Sequence, residues 1–372
     1  MPDAPVRPDY SGASVSSLVP ALLGSLEGTE EVPSPSWLPA PVTGAEAVVL
    51  LVLDGTGWTA VDRARSQLPV LGSLEGGPAT TVVPSTTAAA LSSIATGMTP
   101  SRHGIFGYRM RVGGAVLDVL QWKVPEGRPP APSSVTSIVS FAGRSVPVVT
   151  RADFARSGFT EAHMRGARFL GWRTLATLVT HVSKLVAAGE RFVYAYYDGV
   201  DKVAHEYGLS DGFFAAELAA TDRLVGDVLD ALPPEAALVV TADHGQVPFA
   251  RWIRLDPLAP MVAAYAGDAR FRYLYARPGA TASLARAAAE ELGDDAWVFT
   301  RDQLVDEGWL GPEPPAGDHL SRIGDVALAA RGEAAFVDPT HLKETRLAAG
   351  HGSLTADEML VPIIAGRGRA PA

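Results

Sequence analysis

The stretch "AEAVVLLVLDGTG", residues 45–57, decides the fold class because it joins a continuous apolar run to a polar turn. The apolar run at 47–53 predicts a strand buried on both faces, since a strand with one wet face would alternate apolar and polar residues. A second run, "AALVVTA" at 236–242, has the same character. Together they predict strands of a parallel sheet that helices cover on both sides.

The rest of the chain alternates short apolar runs with helical patterns. Further strands are predicted at 146–150 and 191–197, and "MLVPIIAG" near the end predicts another. Helices are predicted at 87–95, 173–188 and 212–231. This alternation predicts an α/β fold with a mostly parallel central sheet flanked by helices on both faces.

Composition changes along the chain predict three regions. Residues 1–45 are rich in Pro, Ser and Gly around a short apolar piece, which predicts an N-terminal arm lying on the main body. Residues 266–330, with "RFRYLYA" and "TASLARAAAEEL", predict a small α+β cap of the βαβ type. The main domain would then comprise residues 46–265 and 331–372.

Charge and cysteine content exclude several classes of protein. A net charge of −10 leaves no basic surplus for binding a nucleic-acid scaffold. Since the chain has no cysteine, disulfides, thiolate metal sites and cysteine nucleophiles are excluded. No apolar window reaches the length of a membrane span, so we expect a cytoplasmic protein with no membrane partner. The sequence does not determine the oligomeric state.

Acidic and histidine side chains follow several predicted strands. They are Asp54 after the first run, Asp198, Asp201 and His205 after "FVYAYY", Asp243 and His244 after "ALVVTA", and His351 in "AAGHGSLT". Carboxyl ends of parallel strands meet at one edge of a sheet, where ligands bind in open α/β folds.

Each of these residues also has an ordinary structural explanation. An Asp before Gly is commonly a turn residue, and Asp201 and His205 could form an ion pair along one helical face. Ligand-type residues after every strand nevertheless favour a metal site. Imidazole and carboxylate ligands suit zinc best, while manganese and iron stay open.

The stretch "PSTTAAALSSIATG", residues 84–97, places Thr86 and Thr87 at the start of a predicted helix. A threonine here can cap the helix, because its hydroxyl satisfies a free N–H group of the first turn. It can also be a nucleophile, because the same N–H groups hold a phosphoryl oxygen. Nucleophilic attack would require activation by a base or a metal ion.

Five motifs in order carry a family resemblance: "LVLDGTG", "PSTTAAALSSIATGMTPSRHGIFGY", "DKVAHEYG", "TADHG" and "GHGSLTADEMLVP". Their order resembles the alkaline phosphatase superfamily, and most closely its nucleotide pyrophosphatase/phosphodiesterase branch. The resemblance covers about residues 46–260 and 340–366.

The resemblance implies a site with two zinc ions. It implies one ion held by Asp201, His205 and His351, and a second held by Asp54, Asp243 and His244. Thr87 would be the nucleophile and would also contact the second ion. We choose Thr87 over Thr86 because the family nucleophile stands nine positions before the Thr of the "TG" pair, here Thr96. Asp198 is then expected to be structural.

Two departures from the family pattern concern the substrate. Ala88 and Ala90 stand where the family carries a stacking aromatic residue and an Asn, which leaves a nucleotide preference open. Tyr108, Arg109 and Arg111 follow "HGIFG" and are candidate substrate contacts, although a solvated basic strand would explain the arginines equally well.

These inferences predict a two-zinc phosphoryl hydrolase of the phosphodiesterase/nucleotide pyrophosphatase type. It would act on a small phosphorylated substrate through a covalent phospho-threonine intermediate, with diesters preferred over monoesters. A phosphomonoesterase or a phosphonoacetate hydrolase-like enzyme with the same site is the alternative. An inactive, metal-stabilised binding protein is the weaker alternative.

Overall fold

The computed structural model describes residues 4–28 and 35–369. Residues 1–3 and 29–34 of the predicted arm, and 370–372 of the predicted main domain, lie outside the described residues. The α-helices are α1 Val15–Glu27, α2 Trp58–Arg63, α3 Thr87–Thr96, α4 Pro100–His103, α5 Pro132–Val135, α6 Gly158–His163, α7 Leu175–Ala187, α8 Gly199–Tyr207, α9 Phe213–Asp230, α10 Thr281–Leu292, α11 Arg301–Asp306 and α12 Ala356–Met359.

The strands comprise those of a large central sheet and those of smaller sheets. They are β1 Ala47–Leu53, β2 Glu75–Thr80, β3 Arg109–Val112, β4 Ala115–Asp118, β5 Pro147–Arg151, β6 Arg168–Trp172, β7 Phe192–Tyr197, β8 Ala236–Thr241, β9 Val247–Pro248, β10 Arg251–Ile253, β11 Val262–Gly267, β12 Phe271–Ala276, β13 Ala296–Thr300, β14 Val326–Ala330, β15 Ala334–Phe336, β16 Ala349–Gly350 and β17 Leu360–Arg367.

The central sheet has the strand order β2-β17-β8-β1-β7-β5-β6. From β8 to β6 every neighbouring pair is parallel, while β17 runs antiparallel to both β8 and β2. The predicted α/β fold with a mostly parallel sheet is therefore confirmed.

Both faces of the sheet are covered, as the continuous apolar runs require. Alternate residues of β1 enter two different cores: Leu50 packs with residues of α1 and α3, and Leu51 packs with residues of α7 and α9. Helix α1 thus puts part of the predicted N-terminal arm into the core against α3, where Leu18 and Leu22 are fully buried.

The predicted cap region contains a four-stranded antiparallel sheet in the order β11-β12-β14-β13. Strands β12 and β13, on either side of α10 in sequence, run in the same direction with β14 between them. This is a split form of the predicted βαβ unit. The sheet begins at Val262, a few residues before the predicted boundary, and the division into domains stays a prediction.

Within the described residues, the helices are too short or too polar to cross a bilayer. The cytoplasmic location stays a prediction.

A buried histidine fixes the helix that carries Thr87. In α4, His103 Nδ1 accepts a hydrogen bond from the Ile105 N–H at 3.1 Å, so its proton lies on Nε2 and is donated to Ser93 Oγ of α3 at 2.9 Å. Burial, helped by the nearby His319, lowers the pKa of His103 to about 3. The ring is therefore neutral in the folded protein at pH 7.

The neutral His103 makes stability depend on pH. Unfolded histidine has a pKa of about 6.5, so the stabilisation is complete above that pH and falls as pH drops towards 3. We expect His103→Gln to reduce the slope of the free energy of unfolding against pH, between pH 6 and 4.5, by about 1.4 kcal/mol per pH unit. Denaturant unfolding at several pH values measures this, with His181→Gln in α7 as the control. An unchanged slope in His103→Gln would contradict it.

Candidate active site

The ends of neighbouring strands bring the first acidic pair together. Asp54 follows β1 and Asp243 follows β8, and these strands are adjacent and parallel. Gly55 follows Asp54 in sequence and donates its N–H to Asp243. Its φ is 71°, and a Cβ at this position would lie 2.8 Å from Gln246 Nε2. Only glycine permits both this backbone conformation and this close approach. The "DG" pair is therefore needed to seat Asp54.

Helix α8, which follows β7, supplies the next two side chains. Asp201 and His205 lie one turn apart, with His205 Nε2 at 3.3 Å from Asp201 Oδ1. The loop after β16 brings His351 Nε2 to 3.8 Å from the same oxygen. Four separate segments therefore bring these side chains together, and their role as metal ligands stays a prediction.

All three histidines are oriented by a main-chain carbonyl at Nδ1, which leaves Nε2 directed towards the acidic residues. These contacts are His205 to Ala349 O at 2.8 Å, His244 to Gly245 O at 3.0 Å and His351 to Ser85 O at 3.0 Å. Metal-binding histidines are held in this way, because a fixed Nδ1–H presents the Nε2 lone pair to the ion.

In the cluster of Asp54, Asp243 and His244, two buried carboxylate oxygens have no hydrogen-bond partner among the described residues, namely Asp54 Oδ1 and Asp243 Oδ2. They lie 3.4 and 3.3 Å from His244 Nε2. Burial and the repulsion between the two carboxylates raise the pKa of Asp54, and burial also raises the pKa of Asp243. A cation would satisfy both oxygens and remove the repulsion, so these residues fit a metal ion.

The other oxygens of this pair are already held by the protein. Asp54 Oδ2 accepts a hydrogen bond from the Tyr196 hydroxyl, and Asp243 Oδ1 accepts one from the Gly55 N–H at 3.1 Å. Each carboxylate thus has one oxygen held by the protein and one free oxygen. The hydrogen bond to the first oxygen orients the free oxygen towards His244 Nε2.

The possible metal ligands fall into two groups, in each of which the ligand atoms lie within 4.8 Å of one another. The first comprises Asp54, Asp243 and His244, and the second comprises Asp201, His244 and His351. His244 belongs to both groups, and its ring stacks on that of His351 with centroids 3.4 Å apart. His205, a predicted ligand, belongs to neither group. The assignment of ligands to individual ions stays a prediction.

Asp201 differs electrostatically from the first pair. Burial opposes its charge, but the neighbouring His205 outweighs burial and lowers the pKa of this carboxyl. Burial likewise opposes a charge on His205, but Asp201 raises the pKa of that ring to about 9. A cation bound between them would take the place of the imidazole proton.

Thr87 is the first residue of α3, and its Oγ1 lies 3.0 Å from His244 Nε2. The free N–H groups of the first turn and the positive end of the helix lie beside it. Thr86 occupies the N-cap position without a side-chain capping bond, and its hydroxyl points to Asp268 Oδ1 at 3.5 Å. Of the two threonines, Thr87 contacts the histidine and carboxylate cluster.

Two cavities meet at Thr87, Leu120 and Asp201. The one we call the outer cavity has a volume of about 380 Å³, and its wall includes the polar side chains of Tyr108, Gln121, Asp268, His341 and Lys343. The one we call the inner cavity has a volume of about 230 Å³ and is mainly apolar.

The three candidate substrate contacts lie in different places. Tyr108 lines the outer cavity, where its hydroxyl lies 2.8 Å from His341 Nε2. Arg109 is buried and pairs with Asp338, and the Arg111 guanidinium lies 5.3 Å from the centre of the Tyr275 ring. Among the described residues, the walls of these two cavities do not include either arginine. Sequence position predicted that both arginines lie near the substrate, but Asp338 pairs with Arg109 and Tyr275 lies against Arg111, which turns both guanidinium groups away from the cavities.

Sequence analysis missed the residues that support the possible ligands. Gln246 Nε2 donates to Asp201 Oδ1 at 2.6 Å, and Tyr196 donates to Asp54. Tyr196 lies inside β7, one residue before its end, whereas the acidic residues follow the strands, so the rule that found those residues does not reach it. Asp198 instead pairs with Lys202 at 2.5 Å and lies outside both ligand groups.

The sequence model of the type I phosphodiesterase/nucleotide pyrophosphatase family matches residues 48–354. The chain belongs to this family. The resemblance to the alkaline phosphatase superfamily is thereby confirmed, and the family is one of phosphoryl hydrolases. No curated protein matches the sequence significantly.

Solved structures support the fold. Murine ectonucleotide pyrophosphatase/phosphodiesterase 5 aligns with a TM-score of 0.68 and 13% identity over 87% of this chain and 88% of that chain. An inactive form of it, in complex with AMP, aligns with a TM-score of 0.66 and 13% identity over the same shares, 87% and 88%. Phosphonoacetate hydrolase from Sinorhizobium meliloti, in complex with phosphonoacetate, aligns with a TM-score of 0.61 and 20% identity over 88% and 91%.

The contact between Tyr196 and Asp54 predicts a measurable effect on metal affinity. Tyr196→Phe removes the hydroxyl that orients the carboxylate, so we expect zinc affinity to fall by roughly tenfold or more. Tyr194→Phe is the matched control, because the buried Tyr194 hydroxyl has no hydrogen-bond partner in the described chain. Calorimetric zinc titration of both variants measures the difference. Equal affinities would show that Tyr196 does not orient a metal ligand.

Proposed function

We propose that this protein is a two-zinc phosphoryl hydrolase that forms a covalent phospho-threonine at Thr87. The observation that carries the proposal is the 3.0 Å approach of Thr87 Oγ1 to His244 Nε2, inside a cluster of possible metal ligands at the start of α3. When bound, zinc would polarise the phosphoryl group and lower the pKa of the threonine hydroxyl.

The chain's own residues then perform a double displacement. Thr87 Oγ1 gives its proton to a solvent water molecule and attacks phosphorus, while the bond from phosphorus to the leaving oxygen breaks and that oxygen keeps the electron pair. The N–H groups at the start of α3 hold the phosphoryl oxygens through this step. Water then attacks phosphorus and releases the phosphoryl group, which restores Thr87.

The placement of the arginines favours a diester over a monoester. A monoester dianion carries one more negative charge than a diester, and an arginine at the phosphoryl group could offset it. Arg109 is instead paired with Asp338, and Arg111 lies against Tyr275. Two cavities meeting at Thr87 also provide one space for each substituent of a diester.

A phosphonoacetate hydrolase-like activity is the second candidate. Lys343, in the wall of the outer cavity, could pair with a substrate carboxylate. Asp118, Asp268 and Glu344 line the same cavity, so the local charge opposes a second anionic group. We therefore rank this candidate below the diesterase.

Variants of the two adjacent threonines test the nucleophile. Thr87→Val keeps the side-chain shape and removes the hydroxyl, so we expect kcat to fall by roughly three orders of magnitude or more. Thr86→Val removes the hydroxyl that contacts Asp268 and should keep most of the activity. Steady-state assays, with mass spectrometry of acid-quenched wild-type protein for a phosphorylated Thr87 peptide, measure both points. Full activity in Thr87→Val would exclude the mechanism. Absence of turnover in the wild type as well as in both variants would favour the inactive, metal-stabilised binding protein.

Substrate preference tests the charge argument. With bis-aryl and mono-aryl phosphates that share one leaving group, we expect higher kcat/KM for the diester, because the site has limited means of offsetting the extra monoester charge. The assay compares zinc-loaded protein before and after treatment with a chelator, which should abolish turnover. A tenfold preference for the monoester would contradict the diesterase proposal while leaving the threonine mechanism in place.

A further inference from the structure

The candidate nucleophile Thr87 lies in the wall of the inner cavity. Thr87 and Asp54 form the part of its wall that faces the possible metal ligands. Most of the remaining wall comes from apolar side chains of α3, β5, α6 and their neighbours, namely Leu91, Val148, Phe154, Phe159, Met164 and Tyr196. One substituent of a phosphorus atom bound at Thr87 can therefore lie in the inner cavity.

The positively charged side chains around the inner cavity are paired with a carboxylate. Lys202 lies 2.5 Å from Asp198, and Arg151 lies 3.6 Å from the same carboxylate. His163 shares its Nδ1 hydrogen with Phe159 O at 2.7 Å, and burial lowers its pKa to about 4, which leaves the ring neutral at pH 7. Within the described chain, the cavity wall thus contains no unpaired cation for a second anionic group.

Several hydroxyl groups in the wall already have hydrogen-bond partners. Ser157 Oγ donates to Thr160 Oγ1 at 2.9 Å and accepts from the Thr160 N–H at 3.0 Å, and the Tyr196 hydroxyl donates to Asp54. The buried Tyr194 hydroxyl has no partner in the described chain. The polar edges of a sugar or a nucleobase would therefore lose more hydrogen bonds to water than the Tyr194 hydroxyl replaces, which costs free energy. Aromatic walls, with Phe154 and Tyr196 ring centroids 6.4 Å apart, suit a planar apolar group.

The wall of the outer cavity is more polar than that of the inner cavity. It presents Gln121, His341 and Lys343 together with three carboxylates, Asp118, Asp268 and Glu344. Leu120, which is 37% exposed, lines both cavities and stands where they meet. The two sides of the reacting centre therefore differ in polarity.

We propose that the inner cavity binds an uncharged apolar substituent of the phosphoryl substrate, aryl or branched alkyl, while polar or charged substituents lie in the outer cavity. The inference rests on the proposed function and adds the class of substrate. We then expect the substrates to be diesters with one apolar substituent, and not nucleotides or dianionic acids.

Direct binding to zinc-loaded, full-length protein tests this without turnover. The ligands are methylphosphonate, phenylphosphonate and 2-carboxyethylphosphonate, which share one phosphonate group and differ in the single substituent. We expect phenylphosphonate to bind roughly tenfold more tightly than methylphosphonate, since burial of the ring removes apolar surface from water. The carboxyethyl compound should gain nothing over methylphosphonate. Isothermal titration calorimetry measures all three.

Two variants locate the binding of the ring. Leu120→Asp places a charge at the meeting point of the cavities and should abolish the phenyl advantage. Leu320→Asp is the matched control, because Leu320 is 42% exposed and lies in the wall of neither cavity. Phe154→Ala, which removes an aromatic wall from a half-buried position, should reduce the advantage as well and serves if Leu120→Asp does not fold.

The outcomes separate this inference from the proposed function. A phenyl advantage that Leu120→Asp or Phe154→Ala removes and Leu320→Asp keeps supports the apolar site, even if no diester is hydrolysed and the proposed function fails. Equal affinity for methyl- and phenylphosphonate, tighter binding of the carboxyethyl compound, or absence of binding by all three would overturn it. Diester turnover alongside any of these results would leave the proposed function standing.

Discussion

The rest of this structure depends on one constraint: the fold buries two carboxylates, Asp54 and Asp243, next to each other. Asp54 and Asp243 lie at the ends of adjacent strands, and each keeps one buried oxygen without a hydrogen-bond partner in the described chain. Burying unpaired carboxylates costs several kcal/mol, and mutual repulsion adds to that cost. The arrangement fits a cation site, because the free energy of cation binding would offset the cost of burying the two carboxylates together.

The parallel sheet creates this site by geometry. Strands β8, β1 and β7 are neighbours that point the same way, so the residues after them meet at one edge. Helix α3 approaches the same edge with its N-terminus, which brings Thr87 to the cluster. Its position is set from behind by α1 and by the hydrogen bond from His103 to Ser93. The N-terminal segment therefore contributes to the site although it supplies none of its candidate ligands.

Ion pairs join the predicted cap region to the loop that lines the outer cavity. The cap region's buried Arg272 lies 3.4 Å from Asp338 and also pairs with Glu344, and Asp338 in turn holds Arg109. This network fixes the loop that carries His341 and Lys343 over the outer cavity. It also holds the Arg109 guanidinium outside the walls of both cavities. The same ion pairs that attach the cap thus shape the charge that a substrate meets.

The sequence by itself determined the sheet, the order of its main strands and helices, and the candidate ligands. Continuous apolar runs occur where both faces of a strand are buried, and polar residues directly after such runs must lie at the edge of the sheet. The choice of Thr87, however, came from the family resemblance, because spacing within "PSTT" does not tell which hydroxyl faces the cluster. The side-chain contacts of Thr86 with Asp268 and of Thr87 with His244 separate the two.

Only the tertiary structure decided which residues surround the substrate. Arg109 follows "HGIFG" in sequence, but its direction depends on Asp338, which lies 229 residues away. The inner cavity likewise joins Leu91, Phe154 and Tyr196 from separate segments, and no local pattern marks them as neighbours. Burial periodicity is a local property of the chain, so the sequence expresses it directly. Side-chain partners and cavities arise from contacts between distant segments, and these exist only once the chain has folded.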